Sequence, residues 1–101
     1  MGTSRIDALL RMLDRNPDDA RVHFGLAAEY EKNGEWDRVV QHLERYLALT
    51  EDEGNAWGRL ARAHRMLAEE DAARAAFEKG IDAARRHGHL SMAAEFEELL
   101  D

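Results

Sequence analysis

The chain repeats itself every 34 residues: Leu26-Ala27 returns as Leu60-Ala61, Glu35 as Glu69, Asp37 as Asp71 and Glu44 as Glu78. Laid over itself at that offset, segment 20–53 matches 54–87 in hydrophobic pattern throughout, though identities are few. A fixed period of this size marks a repeat array, in which one unit cannot bury its apolar face alone and neighbours must stack.

The residues within each period are specific as a set. One reads Trp57-x2-Leu60-Ala61-x2-His64, then Ala73-x3-Phe77; the other reads His23-x2-Leu26-Ala27-x2-Tyr30, then Asn33-Gly34, then Val39-x3-Leu43. The set resembles the tetratricopeptide repeat (TPR) signature Trp-x2-Leu-Gly-x2-Tyr followed by Ala-x3-Phe. Departures are plain: His23 stands for the Trp, His64 for the Tyr, Ala68 where Gly34 did, and Glu70 where Trp36 did. No Pro closes either full unit, but Pro17 sits one period before Glu51, where the family's proline falls, and Leu9 and Leu13 then align with Leu43 and Leu47. The resemblance covers about 85 of the 101 residues. It implies an all-α, right-handed superhelical stack of antiparallel helix pairs, about six helices in one domain over 1–101. The parts are a half-repeat helix over 4–19, repeats over 20–53 and 54–87, and a C-terminal capping helix over 88–101.

Helix signals support that layout. Ser4 and Asp7 form a capping box ahead of the stripe Ile6, Leu9, Leu10, Leu13, which predicts a helix near 4–15. Asn16-Pro17-Asp18-Asp19 restarts the chain, with a capping side chain, a proline suited to a first turn and two carboxylates near the positive helix end. The second helix then runs to about Asn33, where Asn-Gly supplies a left-handed stop. Further helices are expected near 36–49, 53–67 and 70–86, with a last one after His87-Gly88-His89. The core is expected to hold Trp57, Leu60, Leu43, Phe77, Leu26 and Leu47, with Ala27 and Ala61 small so that helices approach closely.

At 100° per residue the fourth helix has two faces. Trp57, Leu60, Ala61 and His64 share one; Asn55, Gly58, Arg62, Arg65 and Met66 lie on the other. The resemblance implies that this second face, with Arg21, Phe24, Ala28, Glu31 and Lys32 on the second helix, is the concave surface that such arrays offer to ligands. Arg62 and Arg65 stand out because the chain carries a net charge of −7. Arginine suits bidentate carboxylate recognition, so the expected ligand is a peptide with acidic side chains or a free C-terminal carboxylate. Gly58 would leave room for its backbone and Phe24 would anchor an apolar side chain. Two blander readings stay open: the arginines pair with local Glu residues as solvated ion pairs, and Phe24 packs on its neighbouring helix. Chaperone-tail-binding members of the family hold a terminal carboxylate with a Lys and an Asn; Phe24 and Ala28 stand in those places, so that clamp is absent.

Other classes find little support. Thr3, Ser4, Thr50 and Ser91 are the hydroxyl nucleophile candidates, and none has a helix-spaced His beside it; there is no cysteine and no glycine-rich phosphate loop. The reading is therefore not an enzyme, with no catalytic residues and no cofactor. His87-x-His89 is the one close histidine pair; without a carboxylate or thiolate set in the sequence nearby, no metal site is assigned. His64 is expected to be a hydrogen-bonded core residue and His42 an exposed one. The acidity disfavours nucleic acid, and no apolar run approaches the ~20 residues of a membrane span. Met-Gly-Thr-Ser-Arg-Ile has no signal-type apolar stretch, so the expected location is cytoplasmic. An acid-rich, lysine-poor surface also fits a protein from a salty milieu. Two functions remain: a protein–protein interaction scaffold binding a peptide or partner protein on the face of helices two and four, and self-association as a homodimer through the terminal helices. For the latter, Met92, Phe96, Leu99 and Leu100, with Leu10 and Met12 on helix one, exceed what a single packing contact needs.

Overall fold

The computed structural model describes residues 2–100, with side chains described from Arg5 onward. Among those residues the chain is entirely helical: α1 (Gly2–Arg15), α2 (Ala20–Lys32), α3 (Trp36–Leu49), α4 (Asn55–Met66), α5 (Glu70–Arg86) and α6 (Leu90–Leu100). They fall into two compact units, one ending at Thr50 and holding α1 to α3, the other beginning at Glu51 and holding α4 to α6. In the first, α2 pairs with α3 and α1 lies on α2; in the second, α4 pairs with α5 and α6 lies on α5.

Apolar residues three and four apart build each core. In the first unit Val22, Leu26, Val39 and Leu43 are buried, joined by Ile6 from α1. In the second, Leu60 and Phe77 are buried along with Ala56, Ala61, Ala63, Ala73 and Ala84, whose small side chains let the helix axes come close. Two residues expected in the core are only half-buried. Leu47 lies in the last turn of α3, where its partner helix begins, and Trp57 sits at the rim of the α4–α5 pair with the Lys79 ammonium 5.2 Å from its ring centroid.

Helix starts differ from the capping signals in instructive ways. Helix α1 begins at Gly2, so Ser4 lies inside it and is not its cap. Asp19, not Asn16, caps α2: its carboxylate accepts from the backbone N–H of Arg21 at 3.1 Å. Asn16 instead accepts from the N–H of Asp18 at 3.2 Å, an Asx turn that leaves Pro17 ahead of the helix. Asp52 caps α4 from a distance, accepting from Gly54 at 2.8 Å and Ala56 at 2.9 Å. Between α2 and α3 the left-handed position is Gly34, φ 71°; its counterpart between α4 and α5 is Ala68, φ 60°. An L-residue there costs about 1 kcal/mol because Cβ crowds the following carbonyl oxygen. Ala68→Gly is therefore expected to raise stability by about 1 kcal/mol in urea titration, and Gly34→Ala to lower it by a similar amount.

Candidate functional site

The α2 face is held from within the first unit. Phe24 is half-buried, its ring centroid 5.0 Å from that of Tyr46 on α3, as expected for packing on the neighbouring helix. Ala28 is half-buried and Arg21 exposed. Lys32 meets Glu29 at 3.2 Å, and Arg5 of α1 reaches the same carboxylate at 3.1 Å. Glu29 is thus a buried acid with two cationic partners.

The α4 face has an occupant, and it is α6. Gly58 is buried: a Cβ there would stand 2.7 Å from Cε1 of Phe96 and closer still to its Cζ. On α5, Gly80 is the other half of the notch, a Cβ there falling 3.1 Å from the same ring. Phe96 is 3% exposed in that notch and tilts against Phe77 at 5.7 Å between centroids. Arg62 donates to Glu95 at 3.0 Å; the Arg65 guanidinium donates to the Leu99 carbonyl oxygen and lies 4.9 Å over the Phe77 ring. The room that Gly58 leaves is filled by this chain, and both arginines are engaged. Asn55 and Met66, at the two ends of α4, remain exposed.

The apolar surplus of the last helix is accounted for in part by the same packing. Phe96 points inward with Ala93; Met92, Leu99 and Leu100 are half-buried; Leu90 is 69% exposed. Sequence reasoning missed Gly80 and Glu95 as members of this site. A glycine in the middle of a long helix, where Ala would be about 1 kcal/mol better, was the available signal of a close approach.

The histidines divide by unit. His42 is buried, contrary to its expected exposure: Val39, His42, Leu43 and Tyr46 share one stripe of α3, which turns the imidazole inward. Its Nδ1 lies 3.0 Å from Nδ1 of His23, and His23 Nε2 donates to the Pro17 carbonyl at 2.8 Å. The Tyr30 ring stacks on His42 at 5.6 Å. Burial first, then the neighbouring His23 and Arg38, lowers the His42 pKa from 6.5 to about 4. His64, 9% exposed, meets Glu69 at 2.7 Å. His89 meets Glu53 at 2.6 Å with His87 4.0 Å from the same carboxylate; these contacts, His89's hydrogen bond first, hold Glu53 below the usual carboxylate range. Among the described residues no group of three or more acidic or histidine side chains is arranged to hold a metal ion.

Helix pairs at a 34-residue period, with small residues at the close approaches, define a helical-repeat protein. The chain belongs to the tetratricopeptide repeat family. The tetratricopeptide repeat profile matches residues 21–63. The chain is similar to the TPR repeat-containing protein PA0015 of Pseudomonas aeruginosa, 31% identical over 83 residues that cover 82% of this chain and 79% of that one. Its fold is similar to that of MamA in the crystal, with a TM-score of 0.71 at 21% identity. That match covers 92% of this chain but 63% of the MamA chain. Such a fold supports a protein–protein interaction scaffold in general terms. No helix among the described residues is long and apolar enough to cross a membrane.

Proposed function

We propose that this chain is a non-catalytic scaffold, working in the cytoplasm, that holds a peptide or partner protein on the faces of α2 and α4. The favoured ligand places an apolar side chain beside a carboxylate, whether an acidic residue or a free C-terminus. One observation carries the reading: the segment lying on α4 already has that chemistry, with the Phe96 ring over Gly58, Glu95 on Arg62 and a backbone carbonyl on Arg65. Charge-assisted contacts of this kind favour acidic ligands and weaken as salt screens them.

Arg62→Glu together with Arg65→Glu is the test. Capture of acidic, apolar-anchored peptides should fall by about tenfold or more; the denaturation midpoint falls as well, because Arg65 also holds the Leu99 carbonyl oxygen and the Phe77 ring, so capture is compared where circular dichroism shows both chains folded. Phe24→Ala should weaken capture by about 1–3 kcal/mol if the α2 face anchors the ligand. Identical capture by wild type and the double variant would refute the reading. A homodimer through the terminal helices is the alternative, favoured by the exposure of Leu10, Met12 and Leu90. It predicts a dimer in light scattering that Leu90→Glu converts to a folded monomer, whereas the leading reading predicts a monomer throughout.

A further inference from the structure

We propose that α6 is a built-in stand-in for the partner, and that the natural ligand of the α4–α5 face is a short amphipathic helix carrying the α6 pattern. This deepens the scaffold reading and rests on it. The pattern is a small residue, then a carboxylate, then a phenyl ring, then an apolar residue one turn on, the places that Ala93, Glu95, Phe96 and Leu99 hold in α6.

Three observations support it. The notch is cut from both helices of the pair: a Cβ at Gly58 would meet the Phe96 ring first, and one at Gly80 would meet that ring and the Trp57 Cβ of α4 alike at 3.1 Å. Glycine inside a helix is unfavourable on propensity, so its presence on both helices facing one ring fits a site shaped for an inserted aromatic side chain. One of the polar contacts around the ring, Arg62 with Glu95, has both side chains at least half exposed and is salt-sensitive, so it selects a ligand without locking it; the other, Arg65 on the Leu99 carbonyl oxygen, is part-buried. Finally, α6 joins α5 through His87-Gly88-His89, where Gly88 has φ 78° and open space around it. Lifting α6 at that joint would leave the α4–α5 pairing in place and would break the His89–Glu53 contact and the His89 N–H bond to the Ala84 carbonyl oxygen. A tethered segment acts at an effective concentration of about a millimolar, so α6 competes with any weaker ligand and yields to a tighter one of the same chemistry.

The probe is a fluorescein-labelled synthetic peptide of residues 88–101, titrated into the full chain and read by anisotropy. Wild type should bind it weakly, because the tethered copy holds the notch. The full chain carrying Phe96→Ala should bind it about tenfold or more tighter. So should a chain with about twenty Gly/Ser residues inserted at Gly88, by a few-fold, since lengthening the tether lowers its effective concentration. The peptide carrying Phe96→Ala should bind none of the three. If Phe96→Ala does not fold, as circular dichroism would show, the insertion chain decides alone. Equal, non-saturating anisotropy for wild type and the folded variants overturns the proposal. Peptide binding that survives Arg62→Glu with Arg65→Glu would instead defeat the arginine-based scaffold reading and leave the notch standing.

Discussion

Acidification from pH 7 to pH 4 should weaken the first unit by up to about 3 kcal/mol through the His42 imidazole. The Pro17 carbonyl can only accept, so His23 carries its proton on Nε2 and turns a bare Nδ1 toward His42, whose Nδ1–H donates to it. A further proton on His42 creates a buried charge beside Tyr30 and Arg38, the aromatic and cationic groups that face it from α2 and α3. In the unfolded chain His42 takes up a proton near 6.5, whereas in the folded unit it resists down to about 4. Between those values the unfolded state binds more protons, so stability rises with pH across that window. It is complete above about 6.5, falls as pH drops toward 4, and this group adds nothing further below. Urea titrations at pH 7, 5.5 and 4.5 on wild type and His42→Leu separate this from the general protonation of carboxylates. The variant should be about 1–3 kcal/mol weaker at pH 7, where His23 loses its donor, yet should show a flatter acid slope. Parallel slopes would mean that the pair does not govern acid stability.

That pair also marks where the sequence was legible and where it was not. The bounds of α3 and α5 follow from periodicity, because Trp36–Leu49 and Glu70–Arg86 each keep an unbroken apolar stripe. Starts were harder. Asn16 and Asp19 are both good caps, and which one wins is decided by the Asx turn that Asn16 makes with Asp18, a local competition that composition does not reveal. The inward turn of His42 was available from its spacing to Val39 and Tyr46, but a histidine is not ordinarily counted as part of an apolar stripe. The faces of α4 were separable by angle; what covered the second face was not. Helical angles give the direction a side chain leaves its own axis, and only the packing of α6 brings Phe96, 38 residues on in the chain, over Gly58.

Phe77→Ala is expected to cost about 3–5 kcal/mol, at the upper end for a single core truncation. Phe77 is fully buried in the second unit, whose other buried residues on α4 and α5 are mostly alanines that cannot expand to replace it. Alanine at 56, 61, 63, 73 and 84 has no rotamers with which to collapse into the cavity, so the transfer term and the cavity term both apply. The ring also supports two contacts that belong to the site: Phe96 leans on it, and the Arg65 guanidinium lies over its face. Losing it should therefore loosen α6 as well as the α4–α5 pair. Phe77→Leu keeps most of the volume but removes the aromatic face, and should cost much less, about 1–2 kcal/mol. Denaturation of both variants measures the stability difference, and amide exchange on Glu95 to Leu100 reports whether α6 opens ahead of the unit. Truncation costing under about 1 kcal/mol would show that Phe77 is not the centre of this core. Faster exchange along α6 in the leucine variant, with the α4 and α5 amides still protected, would show that the ring holds the last helix in its notch.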